Sequence, residues 1–133
     1  MKIILDTNVV VSALLSPTGA PARILALVLK GNITMAYNNS ILAEYLDVLN
    51  RSKLKINKEL IKPIVDFINK EGKYMTADPQ KIKLPDEDDR VFYELYKSGE
   101  IDYLVTGNIR HFPREKGIVT PKTFLEKEYH SQH

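Results

Sequence analysis

The stretch MKIILDTNVVVSALL, residues 1–15, holds an unbroken apolar run that stops at Asp6 and then resumes at helical spacing. Ile3, Ile4 and Leu5 show no polar alternation, the pattern of a strand covered on both faces, and such strands are central and parallel. From Val9 to Leu15 the period turns helical. A carboxylate therefore stands where a buried strand ends.

Working outward, a Ser16 to Gly19 turn leads to a second helix, Pro21 to Lys30, with Ile24, Leu25, Val28 and Leu29 on one face. Ile33 to Tyr37 reads as a strand. Asn38, Asn39 and Ser40 offer caps to a helix whose stripe is Ile41, Leu42, Tyr45, Leu46 and Leu49, with Glu44 at the stripe's edge. Lys58 to Lys70 repeats the period, with Pro63 as a kink or an early-turn residue. After a polar stretch, Asp86, Glu87, Asp88 and Asp89 precede the stripe Val91, Phe92, Leu95 and Tyr96. Tyr103 to Val105 forms a short buried strand ending at Thr106, Gly107 and Asn108. Ile118 and Val119 suggest a last strand, with Thr120 and Pro121 opening a final helix that carries Phe124. Strands alternating with helices predict an α/β fold, a three-layer α/β/α sandwich on a mostly parallel sheet, with residues 1–133 as a single domain.

Composition agrees. A chain of 133 residues, 44% hydrophobic, fills one core without disulfides. The absence of cysteine leaves oxygen ligands or the three histidines for any metal and suits a reducing cytoplasm. No apolar stretch reaches the ~20 residues of a membrane span, and a net charge of +2 is too small to argue nucleic-acid binding by itself.

In parallel sheets, sites form at the carboxyl ends of strands. Asp6 and Asn108 follow strands, and Asp86 to Asp89 opens a helix that feeds the Tyr103 strand. Glu44 approaches the same edge. Carboxylates sharing a cleft repel one another unless a cation is present, and oxygen ligands select Mg²⁺ or Mn²⁺. Each residue also has a plain structural role. Asp6 can cap a helix, Glu44 can be a solvated helix residue, the Asp86 to Asp89 cluster can serve a helix dipole, Asn108 can make a turn, and His111 can be a packed or surface histidine. Their joint placement at strand ends is what separate roles leave unexplained.

At ILDTNVVVSALLSP (4–17), SILAEYLDVLNR (40–51), DEDDRVFYEL (86–95), DYLVTGNIRHFP (102–113) and IVTPKTFLE (118–126), the chain resembles a PIN domain, in particular the toxins of bacterial and archaeal toxin–antitoxin pairs, similar to VapC toxins. The resemblance implies a metal-dependent ribonuclease using Mg²⁺ or Mn²⁺, with Asp6, Glu44 and Asp89 as its acidic residues. Asp86 is the reserve for the third position. Asp88 ranks lower because a helical wheel turns it toward the apolar stripe. Thr7, Asn8 and Thr106 are then residues that orient the first carboxylate or bind a metal-bound water. Many relatives carry aspartate where this chain has Asn108, so the site loses one charge.

The mechanism implied is hydrolysis by metal-activated water, leaving 5′-phosphate and 3′-hydroxyl ends. One ion would be held by Asp6, Asp89 and Glu44, with a second near Asn108. RNA needs a cationic track, for which Arg23, Lys30, Arg51, Lys53, Lys55, Arg110 and Arg114 are candidates, Arg110 and Arg114 being nearest in sequence. Tyr37 and Tyr45 are candidates for base stacking, with core packing the plainer role. The resemblance also implies an antitoxin partner inserted into the acidic groove, and a homodimer. Two other readings compete. One is a catalytically weakened PIN-fold module that binds RNA or an antitoxin, motivated by Asn108. The other is a phosphotransfer or receiver-like domain, disfavoured because position 8 is Asn8 where a second aspartate is wanted.

Overall fold

The computed structural model describes residues 1–129. His130 and His133, two of the three histidines available as metal ligands, lie outside the described residues. The first strand, β1 (Lys2–Leu5), has Ile3, Ile4 and Leu5 all at 0% exposure. Because successive strand residues face opposite ways, both faces of the sheet are covered at this point. On one side β1 pairs in parallel with β2 (Thr34–Tyr37), Ile3 opposite Met35. On the other it pairs in parallel with β4 (Tyr103–Val105), in the register Ile3 to Tyr103, Ile4 to Leu104 and Leu5 to Val105. The edges are β3 (Lys73–Tyr74) beside β2 and β5 (Ile118–Val119) beside β4, giving the order β3-β2-β1-β4-β5. All pairings are parallel, and the α/β/α fold expected from the alternation of strands and helices is the one observed.

Between β1 and β2 run α1 (Thr7–Leu15) and α2 (Ala20–Leu29); between β2 and β3 run α3 (Asn39–Leu49) and α4 (Lys58–Glu71). The carboxamide of Asn38 accepts from the Ile41 amide at 2.9 Å, starting α3 directly after β2, and Asn57 caps α4 in the same way through the Glu59 amide. Pro63 lies inside α4, in its second turn, where it removes one helical donor. A short 3₁₀ turn, Glu87–Asp89, leads into α5 (Arg90–Ser98), and α6 (Pro121–Tyr129) follows β5, its first turn capped by Thr120 Oγ1 accepting from the Thr123 amide at 3.2 Å.

The core closes on β1. Tyr45 of α3 and Phe92 of α5 are both fully buried, their ring centroids 6.3 Å apart, and Tyr45 Oη donates to the Leu5 carbonyl. Base stacking is therefore not available to Tyr45. Tyr37 is 5% exposed and donates to the Asn69 carbonyl, so both tyrosines serve packing. Two boundaries differ from the sequence reading: α1 starts at Thr7, not Val9, and Ile33 is buried in the turn before β2. The two-residue strand β3 has no counterpart in the sequence reading, since both its residues are exposed and it carries no period. Among the described residues no single helix is long and apolar enough to cross a membrane.

Candidate metal centre

The strand order reverses at β1, with β2 and β3 on one side and β4 and β5 on the other, and the carboxyl ends of β1 and β4 flank that switch point. Asp6 follows β1 there. Its amide donates to the Val105 carbonyl at 2.9 Å, so the backbone still follows the β1–β4 ladder. Its carboxylate is 4% exposed and makes no helix-capping bond, although Asp6 occupies the N-cap position of α1. Instead Oδ2 accepts from Thr106 Oγ1 at 2.7 Å and from Asn8 Nδ2 at 3.3 Å. Both side-chain donors fall on one oxygen, leaving Oδ1 free of side-chain partners among the described residues.

The supporting bonds form a closed set. Asn8 Oδ1 accepts from the Gly107 amide at 2.9 Å, tying the start of α1 to the loop after β4. A Cβ at Gly107 would lie 3.2 Å from that same Oδ1, tighter than ordinary contact. Thr106, fully buried, also accepts from the Asn108 amide at 3.0 Å. Thr7 Oγ1 donates to Glu44 Oε2, bringing the carboxylate of α3 to the Asp6 edge. Thr106 and Asn8 thus contact the first carboxylate, whereas the Thr7 hydroxyl bonds Glu44 and not Asp6.

Asp89 closes the 3₁₀ turn before α5, its side chain 13% exposed, with Oδ2 3.0 Å from His111 Nδ1. Asp86 caps that turn, its Oδ1 accepting from the Asp88 amide at 3.0 Å. Asp88 is exposed rather than turned toward the apolar stripe: residues 87–89 form a 3₁₀ turn, so the helical wheel of α5 does not extend to them. Its charge acts on Glu44. One ligand atom from each of Asp86, Asp89 and His111 lies within 4.8 Å of the other two. His111, read from sequence as packed or superficial, is partly exposed, and its contact with Asp89 is one that the sequence reading did not include. Its partner Asp89 is 22 positions away, a pairing that only the tertiary fold creates.

The electrostatics agree with this geometry. Burial pushes the Asp6 carboxyl up to about 6, helped by the Asp89 charge and opposed by the Thr106 bond. Burial also raises Glu44, opposed by the Thr7 bond and assisted by Asp6 and Asp88. Asp89 is raised by burial, opposed by the His111 bond and assisted by Asp86 and Glu44. Among the described residues no lysine or arginine forms an ion pair with Asp6, Glu44 or Asp89. Oxygen donors that repel one another, one of them buried and positioned by neutral donors, have the chemistry a hard divalent cation takes, although Asp6 and Glu44 are not among the ligand atoms that lie within 4.8 Å of one another in the described residues.

The other expected residues lie around this edge or away from it. Asn108 is exposed just beyond Thr106, and Arg110, in a 3₁₀ turn at Ile109–His111, shares with Arg114 the lining of a cavity of about 300 Å³. Arg51 is paired with Asp47 at 3.0 Å. Arg23 lines a separate cavity with Lys30, Asn32 and Tyr129.

Comparison with known proteins finds a family model, the PIN domain, that matches residues 2–110. No curated protein and no solved structure matches the chain. The matched residues include β1, β2 and β4 together with Asp6, Glu44, Asp89 and Asn108. The chain belongs to the PIN domain family, whose fold is generally that of nucleases.

Proposed function

We propose that this PIN domain is a Mg²⁺- or Mn²⁺-dependent ribonuclease, acting in the cytoplasm as the toxin of a toxin–antitoxin pair. The observation that carries the nuclease reading is that Asp6, Glu44 and Asp89, from three separate elements, lie near enough for their charges to act on one another, with no lysine or arginine ion-paired to them among the described residues. The toxin role, the antitoxin that would fill the acidic groove and a homodimeric state rest on the motif resemblance alone. Arg110 and Arg114, exposed beyond β4, supply cationic side chains for a phosphate backbone on that side.

Asp6, Glu44 and Asp89 would hold the cation. When bound, such an ion supplies Lewis-acid charge for the attack of water on phosphorus. The protein's own contribution is positional. Thr106 and Asn8 fix Asp6 Oδ2 and leave Oδ1 to the pocket, Thr7 fixes one oxygen of Glu44, and His111 fixes Asp89.

Asn108 favours a second reading, a PIN-fold module that binds RNA or an antitoxin with little or no cleavage. Its side chain is exposed at the carboxyl edge and adds no charge. One experiment separates the two: cleavage of a mixed RNA pool with Mg²⁺ or Mn²⁺ by the wild-type chain, Asp6→Ala and Asn108→Asp. Wild-type cleavage abolished in Asp6→Ala supports the ribonuclease. Cleavage by Asn108→Asp alone supports the binding module, and cleavage by a pure Asp6→Ala preparation refutes the assigned site.

A further inference from the structure

Beside the acidic residues, the same carboxyl edge of the sheet carries a cavity of about 360 Å³ that the nuclease reading leaves unused. It runs from Asn38, Asn39 and Ser40, which follow β2, to Tyr74 and Thr76, at and beyond the end of β3, with Glu94 of α5 on its wall. The register that sets Ile3 opposite Met35, continued to the strand ends, brings Asn38 level with Asp6. Ser40 stands one turn before Glu44 on α3, about 6 Å along the helix axis.

We propose that this cavity takes one unpaired nucleobase of a single-stranded RNA, stacked on Tyr74, while the strand's backbone passes the Asp6 edge. The inference rests on the nuclease reading for the identity of the polymer.

Three observations carry it. The first is an aromatic ring in the open. Tyr74 is 48% exposed although it belongs to the sheet. Its ring meets that of Tyr37 edge to face, the centroids 5.6 Å apart and the planes at 78°, and Tyr37 is itself anchored by Oη donating to the Asn69 carbonyl at 2.8 Å. Such a contact holds a ring in place and leaves a face for a planar partner.

Second, the cavity has the wrong charge for a phosphate. Among the described residues no lysine or arginine lines it, and Glu94 adds a carboxylate, whose Oε2 accepts from the Gln80 amide at 2.9 Å. The cations that a nucleic-acid backbone needs are on the other side, at Arg110 and Arg114.

Third, the rest of the lining offers neutral donors and acceptors. Asn38 commits its Oδ1 to the Ile41 amide, which leaves its Nδ2 to donate, and Asn39, Ser40 and Thr76 are exposed. Carboxamides and hydroxyls around an aromatic platform match the edge and the face of a base. In a duplex that face is covered by the neighbouring bases, so the strand that enters is single.

The test is binding of a short fluorescein-labelled RNA in EDTA, so that cleavage plays no part, beside a strand with the same phosphates and no bases. Tyr74→Ala is expected to weaken RNA binding about tenfold and binding of the base-free strand by less than about twofold. The slope of log affinity against log salt should stay unchanged, since no phosphate contact is lost. Tyr74→Phe, which keeps the ring, should bind as the wild type does, and circular dichroism checks the fold of both variants. Equal RNA affinity of the wild type and Tyr74→Ala overturns the subsite, as does an equal loss on the two strands. Free nucleoside monophosphates that bind as tightly as the RNA overturn it too, by making the cavity a mononucleotide site. Loss of RNA affinity in Tyr74→Ala, with no cleavage by the wild type in Mg²⁺ or Mn²⁺, upholds the subsite and refutes the nuclease. Cleavage that Asp6→Ala abolishes, with kcat and KM untouched by Tyr74→Ala, does the reverse.

Discussion

Thr106 Oγ1 donates to Asp6 Oδ2 across 2.7 Å and accepts the Asn108 amide across 3.0 Å, so one buried hydroxyl joins the ends of β1 and β4 and also sets the loop that follows. Thr106→Val keeps the shape and removes both bonds. Urea denaturation should show a destabilisation of about 1–3 kcal/mol, since a buried carboxylate and a backbone amide are left without their partner. Divalent-ion affinity should fall by about tenfold or more. Thr106→Ser, which restores the hydroxyl, should recover most of the affinity.

The pH dependence of the metal-free protein follows from Asp6. Its folded pKa, about 6, lies above its ordinary value of 3.8, so between these values the folded state holds more protons than the unfolded one. Stability is therefore greatest below pH 4 on this account and declines as the pH rises through 6, by about 1–3 kcal/mol. Glu44 and Asp89, raised in the same direction, deepen the decline. Asp6→Asn should flatten the slope in thermal melts taken from pH 4 to 7. Divalent ions at pH 7 should raise the wild-type melting temperature and leave that of Asp6→Asn nearly unchanged.

Arg90 organises the segment that carries Asp86. It forks onto both oxygens of Glu87 and reaches the Gln80 and Ile82 carbonyls. Arg90→Ala should release residues 80–87, seen as faster amide exchange there than in β1. Arg90→Lys should not rescue it, because an ammonium lacks the planar fork.

Arg110 and Arg114 carry a prediction that does not depend on cleavage. For single-stranded RNA, removing one cation that neutralises a phosphate reduces the slope of log affinity against log salt by about 0.7. Arg110→Ala and Arg114→Ala should each lower the slope by about that amount in Mg²⁺-free binding. An unchanged slope removes that arginine from the RNA-binding surface.

The parts of the molecule legible in the sequence are those whose signal is local. Ile3 to Leu5 announces a strand buried on both faces by composition alone, and Asp6 stands out because it ends that run. Asn38 and Thr120 act as caps where their residue type and position indicate. The failures share a different cause. Asp88 is misplaced by an α-helical wheel extended through a 3₁₀ turn, and β3 escapes notice because two exposed residues have no period. The contact of His111 with Asp89 goes unseen because it spans 22 positions, a separation that no local pattern covers. Thr7 is expected near Asp6, but its bond to Glu44 depends on how α3 returns over the sheet.

The Thr106 to Asp6 bond also has a temporal side. Its two residues are 100 positions apart, so during synthesis from the amino terminus Asp6 is made long before the hydroxyl that orients it. A nascent chain that has completed β1, β2 and α3 carries Asp6 and Glu44 but neither β4 nor the loop that holds Asn8 and Asp89 in place. The pocket is thus among the last features to be assembled, and an unfinished polypeptide holds its acidic residues without their ordering on the ribosome.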